Sequence, residues 1–100
     1  MQIGNQSYPF TGSTSATVTQ VASSASNVTL KAANTSRKSL TISNDSTSVL
    51  YIKLGATASA TSYTYRLASY DILELPLPIY TGIVDGIWAS ANGNAYVTEN

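Results

Sequence analysis

The chain has no histidine and no cysteine, and charged residues make up only 10% of its 100 positions. Histidine is the usual general base near neutral pH, and both residue types are common ligands for transition metals. Without them most hydrolytic triads, zinc centres and dithiol redox pairs are excluded. The five acids balance the five bases, so no basic field is present to hold nucleic acid. Three prolines and six scattered glycines give no glycine-rich phosphate loop. No apolar run reaches the roughly 20 residues of a membrane helix. The opening Met1–Gln6 has neither a basic stretch nor an apolar one, so it does not read as a secretory signal. A disulfide framework is ruled out, which favours assembly in a reducing cytoplasm.

What is present is β-forming. Ser, Thr, Val, Ile and Tyr recur at period two, and β-branched side chains suit a pleated surface better than a helix. Thr17–Ala22 alternates, as does Asn27–Ala32 with Val28 and Leu30 inward. Ser39–Ser43 places Leu40 and Ile42 on a buried face. Val49–Leu54 places Leu50, Ile52 and Leu54 inward, leaving Val49, Tyr51 and Lys53 on the other side. The Asn44–Ser48 cluster between these two reads as a hairpin turn. Tyr63, Tyr65 and Leu67 share one side of a further strand, followed by Tyr70–Leu75. Pro76 and Pro78 confine their segment to an edge or crossover. Ile83–Ala89 is a strand with Gly86 as a bulge candidate. Asn92-Gly93 suggests a tight hairpin turn into Ala95–Glu99.

About eight short strands and no helix predict an all-β, single-domain antiparallel β-sandwich, jelly-roll or Ig-like, over residues 16–100. Residues 1–15 lack periodicity and read as an extended N-terminal arm. Tyr8 and Phe10 are its candidate anchors on a neighbouring subunit.

Chemistry finds few footholds. Asp71 and Glu74 are three apart on a strand, so they point to opposite faces and do not form an acid–base pair. Asn44-Asp45-Ser46 offers calcium a single carboxylate, where several are usual. No G-x-S-x-G elbow occurs, and nothing positions a lysine to activate a serine. The expectation is a non-enzyme with no catalytic residue, no metal and no cofactor. The seven tyrosines and one tryptophan provide large amphipathic area at low entropic cost. Trp88 is expected in the core. Candidate partner-binding residues are Tyr8, Phe10, Arg37, Lys38, Tyr51, Lys53, Tyr63 and Tyr65.

Three stretches carry a family resemblance. They are Arg37-Lys38-Ser39-Leu40-Thr41-Ile42-Ser43-Asn44-Asp45 running into Leu50-Tyr51-Ile52-Lys53-Leu54-Gly55, then Leu75-Pro76-Leu77-Pro78-Ile79-Tyr80-Thr81-Gly82, and Gly86–Glu99. Together, over residues 35–99, they resemble small virion structural proteins of tailed bacteriophages, of the head decoration or cement kind. The resemblance implies a β-sandwich that binds the major capsid protein across capsomer joints and stabilises the head. Its partners would be that protein and copies of itself, a homotrimer at local threefold positions being one arrangement. Neither nucleic acid nor membrane would be involved, and its place would be the virion, assembled in the host cytoplasm. The alternative expectation is a tail or fibre module that stacks host carbohydrate on exposed tyrosine or tryptophan.

Overall fold

The computed structural model describes residues 12–100; Tyr8 and Phe10 lie outside that range. Eight strands follow one another, with no helix among the described residues. They are β1 (Thr17–Ala22), β2 (Val28–Lys31), β3 (Leu40–Asp45), β4 (Leu50–Leu54), β5 (Tyr65–Leu67), β6 (Ile72–Glu74), β7 (Val84–Trp88) and β8 (Asn94–Glu99). Each expected strand is present. The two sheets run β1-β8-β3-β6 (sheet A) and β2-β7-β4-β5 (sheet B), and every strand pairing is antiparallel. First pairs with eighth, second with seventh, third with sixth and fourth with fifth. That order results when one long antiparallel hairpin is wrapped into two layers. It is the jelly-roll order and not the immunoglobulin one.

Alternation decides what the layers share. Leu40, Ile42, Ala95 and Val97 of sheet A meet Leu30, Leu50, Ile52, Val84 and Trp88 of sheet B in one cluster, with Leu67 and Leu75 at its margin. Burial of each large aliphatic side chain contributes about 1.5–3 kcal/mol. Gly86 carries no bulge. It pairs regularly with Ile52 and Val28, and the register shift lies on β2 between Thr29 and Lys31. A Cβ at Gly86 would press on Leu30 and Leu50, so glycine is what lets those leucines approach the sheet.

Both expected hairpin turns turn out to be crossings between layers. β3 lies in sheet A and β4 in sheet B, and the same separation holds for β8 and β7. The corner after β3 is anchored from inside. Asn44 Nδ2 donates to the carbonyls of Ser48 (2.8 Å) and Ala68 (3.0 Å). Its Oδ1 accepts from Trp88 Nε1 (3.1 Å) and Ser46 Oγ (2.8 Å). A fully buried amide with all these partners satisfied fixes the chain's exit direction. The second corner leans on the first: Asn92 Oδ1 accepts from the backbone N–H and the hydroxyl of Thr47, both at 2.9 Å. Gly93, at φ +96°, sits where a Cβ would collide with the Asp45 carbonyl.

Candidate docking surface

Outward positions of sheet B follow from its register. Tyr51 stands opposite Ile87 on β7 and opposite Arg66 on β5, which gives one row, Ile87–Tyr51–Arg66, across three strands. One step along, Lys53 stands opposite Asp85, and Asp85 opposite Thr29. The β4–β5 connection, residues 55–64, treats these rows differently. Lys53 Nζ donates to Ser62 Oγ (2.7 Å) and to the Thr57 carbonyl (3.3 Å). Ala58 N donates to Asn27 Oδ1 (2.8 Å), and the same amide donates from Nδ2 to Asp85 Oδ2 (3.1 Å). Thr29 Oγ1 donates to Asp85 Oδ1 (3.1 Å). The connection therefore roofs one end of the sheet, and Asp85 is buried beneath it, held by neutral donors.

The other end stays open. Tyr63, where the connection returns to the sheet, lies against Tyr51 with ring centroids 4.8 Å apart and planes tilted by 56°. Tyr63 is 41% exposed, Arg66 is exposed, and Tyr51 and Ile87 are half-buried. Two tyrosines, an arginine and an isoleucine on a rigid sheet have the composition of a protein-binding hot spot. The tilt means that the two rings do not form one continuous flat surface.

Only part of the sequence-derived set comes together here. Tyr51 and Tyr63 meet. Lys53 points to the same face, but its ammonium is occupied by the roof. Tyr65 faces inward beside Ile52 and packs against the core. The alternation expected from Tyr63 to Leu67 begins only at Tyr65, because Thr64 turns its hydroxyl to accept the Leu54 N–H (3.0 Å). Lys38 is exposed at the foot of sheet A, its backbone N–H donating to the Asn100 carbonyl (2.6 Å). Arg66 and Ile87 were missed. Period-two reading places each on an outward face, but their nearness to Tyr51 depends on strand pairing.

Arg37 requires a correction. It was expected to meet a partner, yet it is only 3% exposed. Its guanidinium donates from Nε to Glu99 Oε2 (2.8 Å), from one terminal nitrogen to the carbonyls of Tyr80 (2.8 Å) and Gly82 (3.1 Å), and from the other to the Ala32 carbonyl (2.8 Å). It pins the β2–β3 connection, the β6–β7 connection and the end of β8 together. Burial pushes the Glu99 carboxyl up. Hydrogen bonds from Arg37 and Asn34 and the charges of Arg37 and Lys31 outweigh that and hold it below its ordinary value of 4.5.

Among the described residues no three His, Cys, Asp or Glu side chains gather as a metal site, and no helix is long and apolar enough to cross a membrane. No family model matches the chain, and no curated protein or solved structure matches it. The open end of sheet B therefore has to be interpreted from its own chemistry.

Proposed function

We propose that this chain is a structural docking module, a decoration protein that binds the major capsid protein of a tailed-phage head through the open end of sheet B. The observation that carries the reading is the Ile87–Tyr51–Arg66 row with Tyr63 packed on it. It is an aromatic and cationic patch, set on rigid strands, that no part of the described chain covers. Strands hold such groups with little entropy left to lose on binding. A particle surface multiplies a modest contact, because many copies dock on one lattice. The low charge and the sequence resemblance point the same way.

The test is microscopy of particles that contain the polypeptide, together with a binding titration of purified protein on particles stripped of it. Saturation at a fixed number of copies per head is expected. Tyr63→Ala and Arg66→Glu should each weaken binding by about tenfold or more, as loss of a hot-spot contact does. Binding to glycans that depends on Tyr51 and Tyr63, with no saturable binding to heads, would overturn the reading in favour of a carbohydrate-binding tail module.

A further inference from the structure

An open sheet has edges, and an unprotected edge invites another strand. This sandwich has four: β1 and β6 in sheet A, β2 and β5 in sheet B. Three are blunted. β6 is three residues long, ends in Glu74 and runs on to Pro76 and Pro78. β5 is equally short, with Arg66 at its centre. β2 has four residues, ends in Lys31 and is interrupted by the register shift. β1 has none of these devices. It is six residues, Thr-Val-Thr-Gln-Val-Ala, with neither charge nor proline, and it pairs with β8 without a break.

The hydrogen-bond phase of β1 shows which groups are free. Ser23 N donates to the Gly93 carbonyl (3.0 Å). In an antiparallel ladder hydrogen-bonded pairs recur every second residue, so Val21, Thr19 and Thr17 bond to β8. Val18, Gln20 and Ala22 then present both N–H and C=O to the side of β1 where no other described strand lies. The phase of the next ladder agrees: Ser39 and Asn100 exchange both of their bonds (3.1 and 3.2 Å). That commits the alternate residues of β8, Thr98, Tyr96 and Asn94, to β3. The chain entering β1 also comes from the β3 side, where the Gly12 carbonyl accepts from Lys38 Nζ (3.3 Å).

We infer that the free edge of β1 pairs antiparallel with β1 of a second copy, about a two-fold axis through Gln20. The strand's own spacing favours a copy of itself as the occupant. Two sheets that continue with the same face inward must pair residues of like parity. Centring on Gln20 does this: Val18 meets Ala22 of the second copy, Gln20 meets its own counterpart, and the three free residues of each strand become hydrogen-bonded pairs. Large lies opposite small, the two Gln20 amides lie side by side, and no like charges face each other across the axis. The outward side chains agree, since Val18 is 63% exposed on the solvent face. Both sheet A layers would join into one sheet. A single strand edge buries less than the roughly 1,200 Å² of a standard interface, so the free dimer is weak. This two-fold contact concerns the opposite sheet from the docking patch and does not depend on the docking reading.

The experiment is sedimentation equilibrium of the full chain from about 10 μM to about 1 mM, with amide exchange measured at both ends of that range. A concentration-dependent dimer is expected. The amides of Val18, Gln20 and Ala22 should exchange slowly only in the dimer, and those of Thr19 and Val21 slowly throughout. Gln20→Pro removes a donor that β8 does not use, and Val18→Lys sets like charges on the edge. Each should weaken the dimer by about tenfold or more. If the proline variant loses its fold, the lysine variant decides. Three results would overturn the inference: a monomer at ~1 mM with fast exchange at all three amides, a monomer in which they are already protected, or a dimer unchanged by Val18→Lys.

Discussion

Arg37 and Arg66 sit on opposite sides of the same problem. Both are arginines in strand-rich stretches of the sequence. One is buried in a corner between the sheets, and all of its hydrogen bonds go to the chain itself. The other lies in the open beside Tyr51, and its guanidinium bonds to no other described residue. The difference lies in what surrounds them. Arg37 ends a turn in which the carbonyls of Ala32, Tyr80 and Gly82 converge with the Glu99 carboxylate, and a planar fork satisfies all of them. Arg66 sits mid-strand on a face where no such acceptors converge. A long cation therefore reads as a docking group only after the local carbonyls are accounted for.

The sharpest way to break that contrast is to remove each guanidinium while keeping most of the stem. Arg37→Met leaves the half-buried Glu99 carboxylate with only Lys31, 4.0 Å away, as a cationic partner among the described residues. It also takes a charged donor from three carbonyls, and should cost about 3–5 kcal/mol. Arg66→Met should stay within about 0.5 kcal/mol, as exposed substitutions do. Urea unfolding of both variants measures the pair. Equal losses would mean that the corner is not the pin described.

A second buried node tests whether the Arg37 corner is exceptional. Asn44→Ala strands Trp88 Nε1 and takes one donor each from the Ser48 and Ala68 carbonyls, which keep Ser46 Oγ (3.0 Å) and the Asp71 N–H (3.1 Å). The expected loss is about 1–3 kcal/mol, smaller than at Arg37 because no ionised group loses its hydrogen-bonded partner. Trp88 fluorescence reports it directly, since the indole loses its acceptor. A loss under about 0.5 kcal/mol would show that the crossing corner does not need its amide.

These two nodes also mark where sequence reading ran out. The strands were legible because alternation is local: Leu40 and Ile42, or Leu50 and Ile52, declare a buried face within a few residues. Strand partners were not. Asn44–Ser48 and Asn92-Gly93 have the composition of hairpin turns, and a turn's composition does not say whether the chain doubles back or changes layer. That choice was made by the Asn44 amide reaching Trp88, 44 residues away, and by Asn92 meeting Thr47. The candidate surface was half legible for the same reason. Tyr51 was visible on its strand, but Arg66 and Ile87 join it only through pairings that the crossings set. Arg37 was misread because a buried arginine and an exposed one are the same letter.

Acid sharpens the comparison further, since the Arg37 corner holds the Glu99 carboxyl below its ordinary value. The Glu99 value is lowered on folding, so its contribution to stability is present above 4.5 and is lost as pH falls through the depressed folded value. The stability gap between wild type and Glu99→Gln should be widest near neutral pH and should close as the pH drops below that point. A gap that stays constant on acidification would mean that Glu99 stabilises the corner by packing alone. Arg66→Met should run parallel to wild type over the whole range, since no carboxylate is bonded to that side chain.

The smallest effect on stability falls on the open face, and there it carries the most functional information. Tyr63 touches Tyr51 at its margin and is partly solvated, so Tyr63→Ala removes one aromatic contact, worth about 0.5–1.5 kcal/mol beyond the area it covers. Much of its ring already faces water, which puts the expected loss of folding stability at the lower end of that range. Particle binding should fall far more, because a hot-spot aromatic does most of its work after water is expelled from around it. The informative quantity is the ratio of the two losses, obtained from denaturation and from the head-binding titration on the same variant. A binding loss no larger than the folding loss would make the Tyr51–Tyr63 pair a clasp that holds the β4–β5 connection to the sheet, and the docking face would then have to lie elsewhere.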